Sequence, residues 1–173
     1  SSCTHIYAVG SVGTILHYNG TSWSPENSGM TNTLYAIWGP SDTDISIVGD
    51  GLILEKTGET WTRVYENPDI GFYAVHGSSS TSASAVGEYY PLHGVAVASK
   101  SGSSWSLVHS GSPPIPRDLW SDTSGFAISI SDGGYIGKAR GAGNMNSPTT
   151  NNLYAIYGTK RSNLYIAGAN GTI

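Results

Sequence analysis

Short apolar runs of about five or six residues alternate with polar, glycine-bearing stretches along the whole chain. None has the length or the 3.6-residue period of a helix, and their richness in Ile, Val, Tyr and Trp predicts β-strands. The runs fall into four kinds that recur in order. The first kind comprises Leu34-Tyr-Ala-Ile-Trp-Gly39, Phe72-Tyr-Ala-Val-His-Gly77, Leu153-Tyr-Ala-Ile-Tyr-Gly158 and the weaker Arg117-Asp-Leu-Trp-Ser121. A polar loop follows, then a second run: Ile6-Tyr-Ala-Val-Gly10, Ile45-Ser-Ile-Val-Gly49, Ala83-Ser-Ala-Val-Gly87, Phe126-Ala-Ile-Ser-Ile130 or Leu164-Tyr-Ile-Ala-Gly168. The third run begins at Gly13, Gly51, Gly94 or Gly134, and the fourth carries Trp23, Trp61 or Trp105, a tryptophan the last copy replaces with Asn144-Met145.

Between the third and fourth runs stand Asn19-Gly20, Thr57-Gly58, Ser101-Gly102 or Arg140-Gly141. Asn-Gly favours positive φ and predicts a two-residue hairpin. Each repeat of about forty residues thus reads as a four-stranded antiparallel meander. The central runs are apolar on both faces, so a single sheet cannot bury itself, and stacking copies around an axis answers that problem. The predicted fold is all-β: a β-propeller forming a single domain over 1–173, with repeats at approximately 1–33, 34–71, 72–116, 117–152 and 153–173. Both ends cut through a repeat, leaving about four and a half copies, which predicts part of a larger propeller. The third copy departs from the others through Glu88-Tyr-Tyr-Pro-Leu92 and a longer Ser-rich loop.

Composition narrows the function. Hydrophobic residues make up 38% and charged residues 12%, a profile shared by disordered chains and turn-rich β domains. Five Trp and eleven Tyr decide for the second, because disordered chains are poor in aromatics. The net charge of −4 and the scattered basic residues supply no stripe for a phosphate backbone, which excludes nucleic acid as the expected partner. No apolar run reaches the length of a membrane span. Cys3 is the single cysteine, so no internal disulfide forms. It occupies an ordinary loop position of the repeat, the reading preferred over a lipidated residue.

The runs Leu34–Gly39, Ile6–Gly10 and Gly13-Thr-Ile-Leu-His-Tyr-Asn-Gly-Thr-Ser-Trp23 resemble repeats of secreted bacterial β-propellers, relatives of the photosystem-assembly-factor and sialidase-like families. The resemblance is clearest in residues 6–61 and 153–173. It implies propeller architecture and an exported or cell-surface location, and no single activity. The sialidase-like turn has an aspartate before its glycine; Asn19-Gly-Thr-Ser-Trp23, Thr57-Gly-Glu-Thr-Trp61 and Ser101-Gly-Ser-Ser-Trp105 keep its shape without that aspartate. Nothing catalytic carries over.

A glycoside hydrolase needs two carboxylates across a sugar. Asp42, Asp44, Asp118 and Asp122 lie in or beside the loops of first strands but read as turn formers, with Arg117 and Asp118 a surface pair. The histidines (His5, His17, His76, His93, His109) fall at different repeat phases without metal-ligand spacing, and no cofactor is expected. The residue before the last one of each first run, a glycine in three copies and Ser121 in the fourth, is Trp38, His76, Trp120 or Tyr157. Repeat symmetry places these four at one level around the axis, either packing neighbouring sheets or forming a ligand-binding ring. Trp23, Trp61 and Trp105 read as sheet-to-sheet packing. The leading expectation is a non-catalytic extracellular or surface module that binds a protein or glycan partner, or copies of itself. A lectin comes second and a glycoside hydrolase third.

Overall fold

The computed structural model describes residues 5–108, 114–139 and 143–173. Cys3, His109 and the Arg140-Gly141 turn lie outside the described residues. Fifteen strands account for nearly all regular structure: β1 (Ile6–Val9), β2 (Thr14–Tyr18), β3 (Trp23–Asn27), β4 (Leu34–Trp38), β5 (Asp44–Thr57), β6 (Thr60–Ser79), β7 (Ser82–Tyr89), β8 (Gly94–Ser101), β9 (Ser104–Leu107), β10 (Pro116–Ser121), β11 (Ala127–Ser131), β12 (Ile136–Lys138), β13 (Asn144–Met145), β14 (Leu153–Lys160) and β15 (Asn163–Gly168). Every pairing is antiparallel and joins strands consecutive in sequence, as a meander requires.

The hydrogen-bonded sheets are β1-β2-β3, β4 through β9, β10 through β13, and β14-β15. Copies two and three of the repeat share the six-stranded sheet because β6 passes from one to the other, with an Asx turn at Asn67–Asp69 (Asp69 N–H to Asn67 Oδ1, 3.0 Å). The fourteen residues of β5 double back at Asp50-Gly51, where Gly51 has φ +81°. The proof is a contact between Ser46 Oγ and Glu55 Oε1 at 3.5 Å, nine residues apart, a separation of about 30 Å in a straight strand. The hairpin between third and fourth runs is centred on Gly58-Glu59 and Gly102-Ser103, flanked by the pairs Thr57–Thr60 and Ser101–Ser104. In the first copy Asn19 instead caps a four-residue turn, its Oδ1 accepting the Thr21 and Ser22 N–H groups, and only Gly20 is left-handed.

The core lies between sheets. In β5, Ile45, Ile47, Leu52 and Leu54 face one neighbour with Ile15 and Leu34. Val48 and Ile53 face the other, with Phe72, Ala85 and Ala98. A third cluster joins Ala74, Val86 and Val97 to Leu119 and Ala127, and a fourth joins Trp120, Ile128 and Ile130 to Leu153 and Ile156. Five consecutive copies are thus joined by four apolar seams, the reason central runs are apolar on both faces.

Candidate functional site

The first strands gather at one side of the stack. β4 touches β6, β6 touches β10 and β10 touches β14. Each pairs with a single partner, β4 with β5, the second half of β6 with β7, β10 with β11 and β14 with β15. Among the described residues each therefore leaves one edge without a strand partner.

At the C-terminal ends of these strands stand the four aromatic positions singled out in the sequence, and the structure makes three of them an interlock. Trp38 lies across Gly77 of the following copy, where an added Cβ would come within 2.5 Å of the indole. Its ring centroid is 5.7 Å from that of His76. His76 in turn engages Ser121 of the next copy: Nδ1 accepts the Ser121 N–H at 3.1 Å, and Ser121 Oγ donates to the His76 carbonyl at 3.1 Å. With Nδ1 an acceptor, the imidazole proton sits on Nε2. Burial holds the His76 pKa below its ordinary value. Trp120, 3% exposed, stands 6.2 Å from His76 and donates its Nε1–H to the carbonyl of Gly158, again in the next copy, at 2.8 Å. Tyr157 is 72% exposed.

A cleft of about 530 Å³ opens beside this interlock, lined by His76, Trp120, Asp122, Lys160 and Arg161 among others. Arg161 closes one wall by pairing with Asp122 (Nε to Oδ2, 2.5 Å) and packing over Phe126, 4.1 Å from its centroid. That guanidinium, with N–H groups of Ser124 and Phe126, holds the Asp122 carboxyl far below the usual carboxylate range.

The remaining acids do not converge. Asp118 is not paired with Arg117 as the sequence suggested. Its Oδ2 accepts the Ile156 N–H of the next copy at 2.9 Å and its Oδ1 accepts the Leu119 N–H at 2.8 Å. Burial raises its pKa, opposed by those two bonds. Asp44 accepts the Ser41 hydroxyl at 3.0 Å, and Asp42 lies 3.7 Å from His5. Among the described residues no group of three or more His, Cys, Asp or Glu is placed to hold a metal ion. No helix of the described residues is long and apolar enough to cross a membrane.

Two buried ion pairs tie the sheets together on the outer side. Lys100 Nζ lies 2.5 Å from Glu55 Oε1 of the preceding copy, and Trp105 Nε1 donates to the same oxygen at 2.8 Å. One copy earlier, Lys56 Nζ reaches Glu26 at 3.2 Å and the Tyr7 hydroxyl at 2.7 Å, while Trp61 Nε1 donates to Glu26 Oε2 at 2.6 Å. Burial would lower the Lys56 pKa, but the bonds to Tyr7 and Glu26 outweigh it and the pKa stands above its ordinary value. His17 Nδ1 also contacts Glu26, at 3.2 Å, and its Nε2 stands 2.9 Å from His5 Nδ1. Trp61 and Trp105 thus do join neighbouring sheets. Trp23 is 50% exposed and tilts against Tyr18 of its own sheet.

A second set of side chains was not singled out in the sequence. The register of each first strand slips near its start, between Leu34 and Ala36, Phe72 and Ala74, Pro116 and Asp118, and Leu153 and Ala155; β6 and β14 slip again further on, between Gly77 and Ser79 and between Gly158 and Lys160. The residues skipped near the start are Tyr35, Tyr73, Arg117 and Tyr154, each three residues before the aromatic position Trp38, His76, Trp120 or Tyr157. A β-bulge takes its extra residue out of the strand's alternation and re-aims it. Tyr35 and Tyr154 are 45% and 52% exposed, and Arg117 is exposed as well. The tyrosines Tyr35 and Tyr73 meet edge to face with centroids 5.3 Å apart. Tyr73 and Arg117 line the same cleft of about 460 Å³, and Arg117 feels Tyr154 electrostatically. Tyr73 donates to Glu88 at 3.1 Å, Tyr90 to Asp50 at 2.8 Å, and Arg117 clamps Asp132 with two bonds of 3.1 and 2.6 Å. Burial pushes the Tyr73 and Tyr90 phenols up, Tyr90 very strongly. Tyr90 belongs to the inserted stretch of the third copy, a 3-10 turn at Tyr90–Leu92 that folds back over Gly71.

No family model matches the chain, and no curated protein matches it. Solved structures do. YCF48 bound to a D1 peptide superposes with a TM-score of 0.64 at 17% identity, over 96% of this chain and 59% of that one. YCF48 from Cyanidioschyzon merolae superposes with a TM-score of 0.68 at 12% identity, over 97% of this chain and 64% of that one. At such identities the likeness speaks for the fold alone. The stacked antiparallel sheets, the gathered first strands and these superpositions together give a chain similar in fold to the YCF48 β-propellers, spanning less than two thirds of their length.

Proposed function

We propose that the protein is a non-catalytic binding module that holds a polypeptide partner against the inner ends of its first strands. The observation that carries this reading is the bulge that each first strand makes at Tyr35, Tyr73, Arg117 or Tyr154, with Tyr35, Arg117 and Tyr154 exposed and Tyr73 and Arg117 lining one cleft. A β-bulge re-aims a side chain out of the strand's alternation, and Tyr and Arg are enriched where partners are gripped. One structural neighbour is a YCF48 structure with a peptide bound, which supports a peptide partner here. The carboxylates are engaged by Arg161, by backbone N–H groups or by buried lysines, which speaks for binding over hydrolysis.

The wider reading is a propeller of four-stranded blades, of which this chain forms part, on a secreted or cell-surface protein. The low charge content and hydroxyl-rich loops support that location and permit association between copies. A glycan at the opposite mouth is the second reading. It is favoured by the open cleft beside Trp120 and His76, whose rim carries the hydroxyls of Ser78, Thr123, Thr159 and Ser162, with Tyr157 exposed next to it.

Panning an unbiased random peptide library against the protein tests the first reading, with a glycan array run beside it. Enriched peptides that lose affinity when Tyr35 and Tyr154 are both changed to Ser support it. Glycan binding without peptide enrichment, abolished by Tyr157→Ser, would replace it with the second.

A further inference from the structure

The bulged collar carries a sign as well as a shape. Asp50, Glu88 and Asp132 surround it, each tied to a collar side chain or to its neighbour: Asp50 to Tyr90, Glu88 to Tyr73, and Asp132 to Arg117. Among the described residues at this mouth, three carboxylates thus face one guanidinium, and that guanidinium is already spent on Asp132 in a bidentate pair. His93 stands outside, 2.8 Å from Glu88. Of the other described basic side chains, Lys56 and Lys100 are buried in the outer ion pairs, Lys160 and Arg161 line the other mouth, and Arg63 is paired with Glu66.

The tyrosines add to the same sign. An aromatic face carries negative potential and attracts a cation within about 6 Å of its centroid. Tyr35 and Tyr154 are exposed, and their phenolic oxygens accept as well as donate. Tyr35 meets Tyr73 edge to face, and Tyr73 lines the cleft of about 460 Å³ together with Glu88 and Asp132. An anionic ligand meets repulsion here, whereas an ammonium or guanidinium meets ring faces and carboxylates together.

We infer that the collar formed by Tyr35, Tyr73, Arg117 and Tyr154 selects an extended polypeptide segment bearing lysine or arginine, whose cationic side chain enters between the tyrosines toward Asp50, Glu88 and Asp132. The inference rests on the polypeptide-binding reading above and adds the partner's charge. It is independent of the aromatic interlock at the other mouth, where Asp122 is neutralised by Arg161.

Two random peptide pools that differ only in their charged residue provide the test, one containing Lys and lacking acids, the other containing Glu and lacking bases. The protein is immobilised and retention of each pool is measured. The Lys pool is expected to be retained at least about tenfold more strongly than the Glu pool, a preference that shrinks as salt rises. The double variant Tyr35→Ser/Tyr154→Ser removes the exposed ring faces. Asp50→Asn keeps the acceptor for Tyr90 while removing one charge. Both are expected to reduce the preference by about fivefold, the size of one cation–π or charge contact. Circular dichroism and thermal melting confirm that each variant is folded. Equal retention of the two pools, or preference for Glu, overturns the cationic partner while leaving a polypeptide-binding module. Retention of neither pool overturns both. A Lys preference unchanged in both variants overturns the assignment to this collar.

Discussion

Removing the Glu55 carboxylate is the sharpest perturbation of the way the sheets are held together. Glu55 receives Lys100 Nζ at 2.5 Å, Trp105 Nε1 at 2.8 Å and Ser46 Oγ at 3.5 Å. The Lys100 side chain is 9% exposed and that of Glu55 14%. Glu55→Ala leaves an ammonium and an indole N–H inside a seam with no acceptor. Breaking one partner of a buried pair costs about 3 to 5 kcal/mol, against a total stability of about 5 to 15 kcal/mol for a domain. Replacing both charges tells a different story. Desolvation cancels most of a buried pair's attraction, so Glu55→Leu with Lys100→Met should lie within about 1 kcal/mol of the parent protein. Urea unfolding followed by tryptophan fluorescence measures both, since Trp105 sits in the seam. The expected result is a large loss of midpoint for Glu55→Ala at constant slope, and recovery in the double variant. A loss below about 1 kcal/mol for Glu55→Ala, or no recovery in the double variant, would refute the reasoning.

Three further outcomes follow from named contacts. Gly71→Ala places a methyl against the Tyr90 hydroxyl and close to Tyr73; it should cost about 1 to 3 kcal/mol and reduce the near-UV signal, with Tyr90→Phe partly restoring both. The Tyr90 pKa is raised by burial and by Asp50, so the unfolded chain loses this proton first; stability is full below about pH 10 and falls above it, and urea midpoints for Tyr90→Phe should show a weaker fall. The His76 pKa is lowered by burial, so its contribution is present above about pH 6.5 and declines as the unfolded state protonates below it; His76→Gln should flatten that part of the pH profile.

The strands and the repeat were legible because burial on both faces imposes apolar residues at nearly every position of a central run, as Ile45 through Leu54 illustrate. The tryptophan seams were half legible. Lys56-Thr-Gly-Glu-Thr-Trp61 and Lys100-Ser-Gly-Ser-Ser-Trp105 repeat one spacing, but their acceptors come from different strands, Glu26 from β3 and Glu55 from β5. No spacing announces that. The first copy has His17 where the second has Glu55, so its carboxylate enters from the adjacent strand and His17 bridges to it.

The collar was hidden for a different reason. Tyr35, Tyr73 and Tyr154 share one position in the repeat, yet strict alternation assigns that position to a sheet face. A bulge is a property of the pairing between two strands, which the composition of one strand does not reveal. The same limit applied to Asp118. Its side chain reaches the backbone of β14, a partner 38 residues away that only the stacking of copies brings near.

The measurement that tests the central claim most directly is a chemical-shift map of the aromatic side chains as the tightest peptide from the panning experiment is titrated in. Ring resonances of Tyr35, Tyr73 and Tyr154 are expected to move together with saturation, while those of Trp38, His76 and Tyr157 stay in place. Movement confined to Trp38, His76, Trp120 and Tyr157 would contradict it and transfer binding to the opposite mouth.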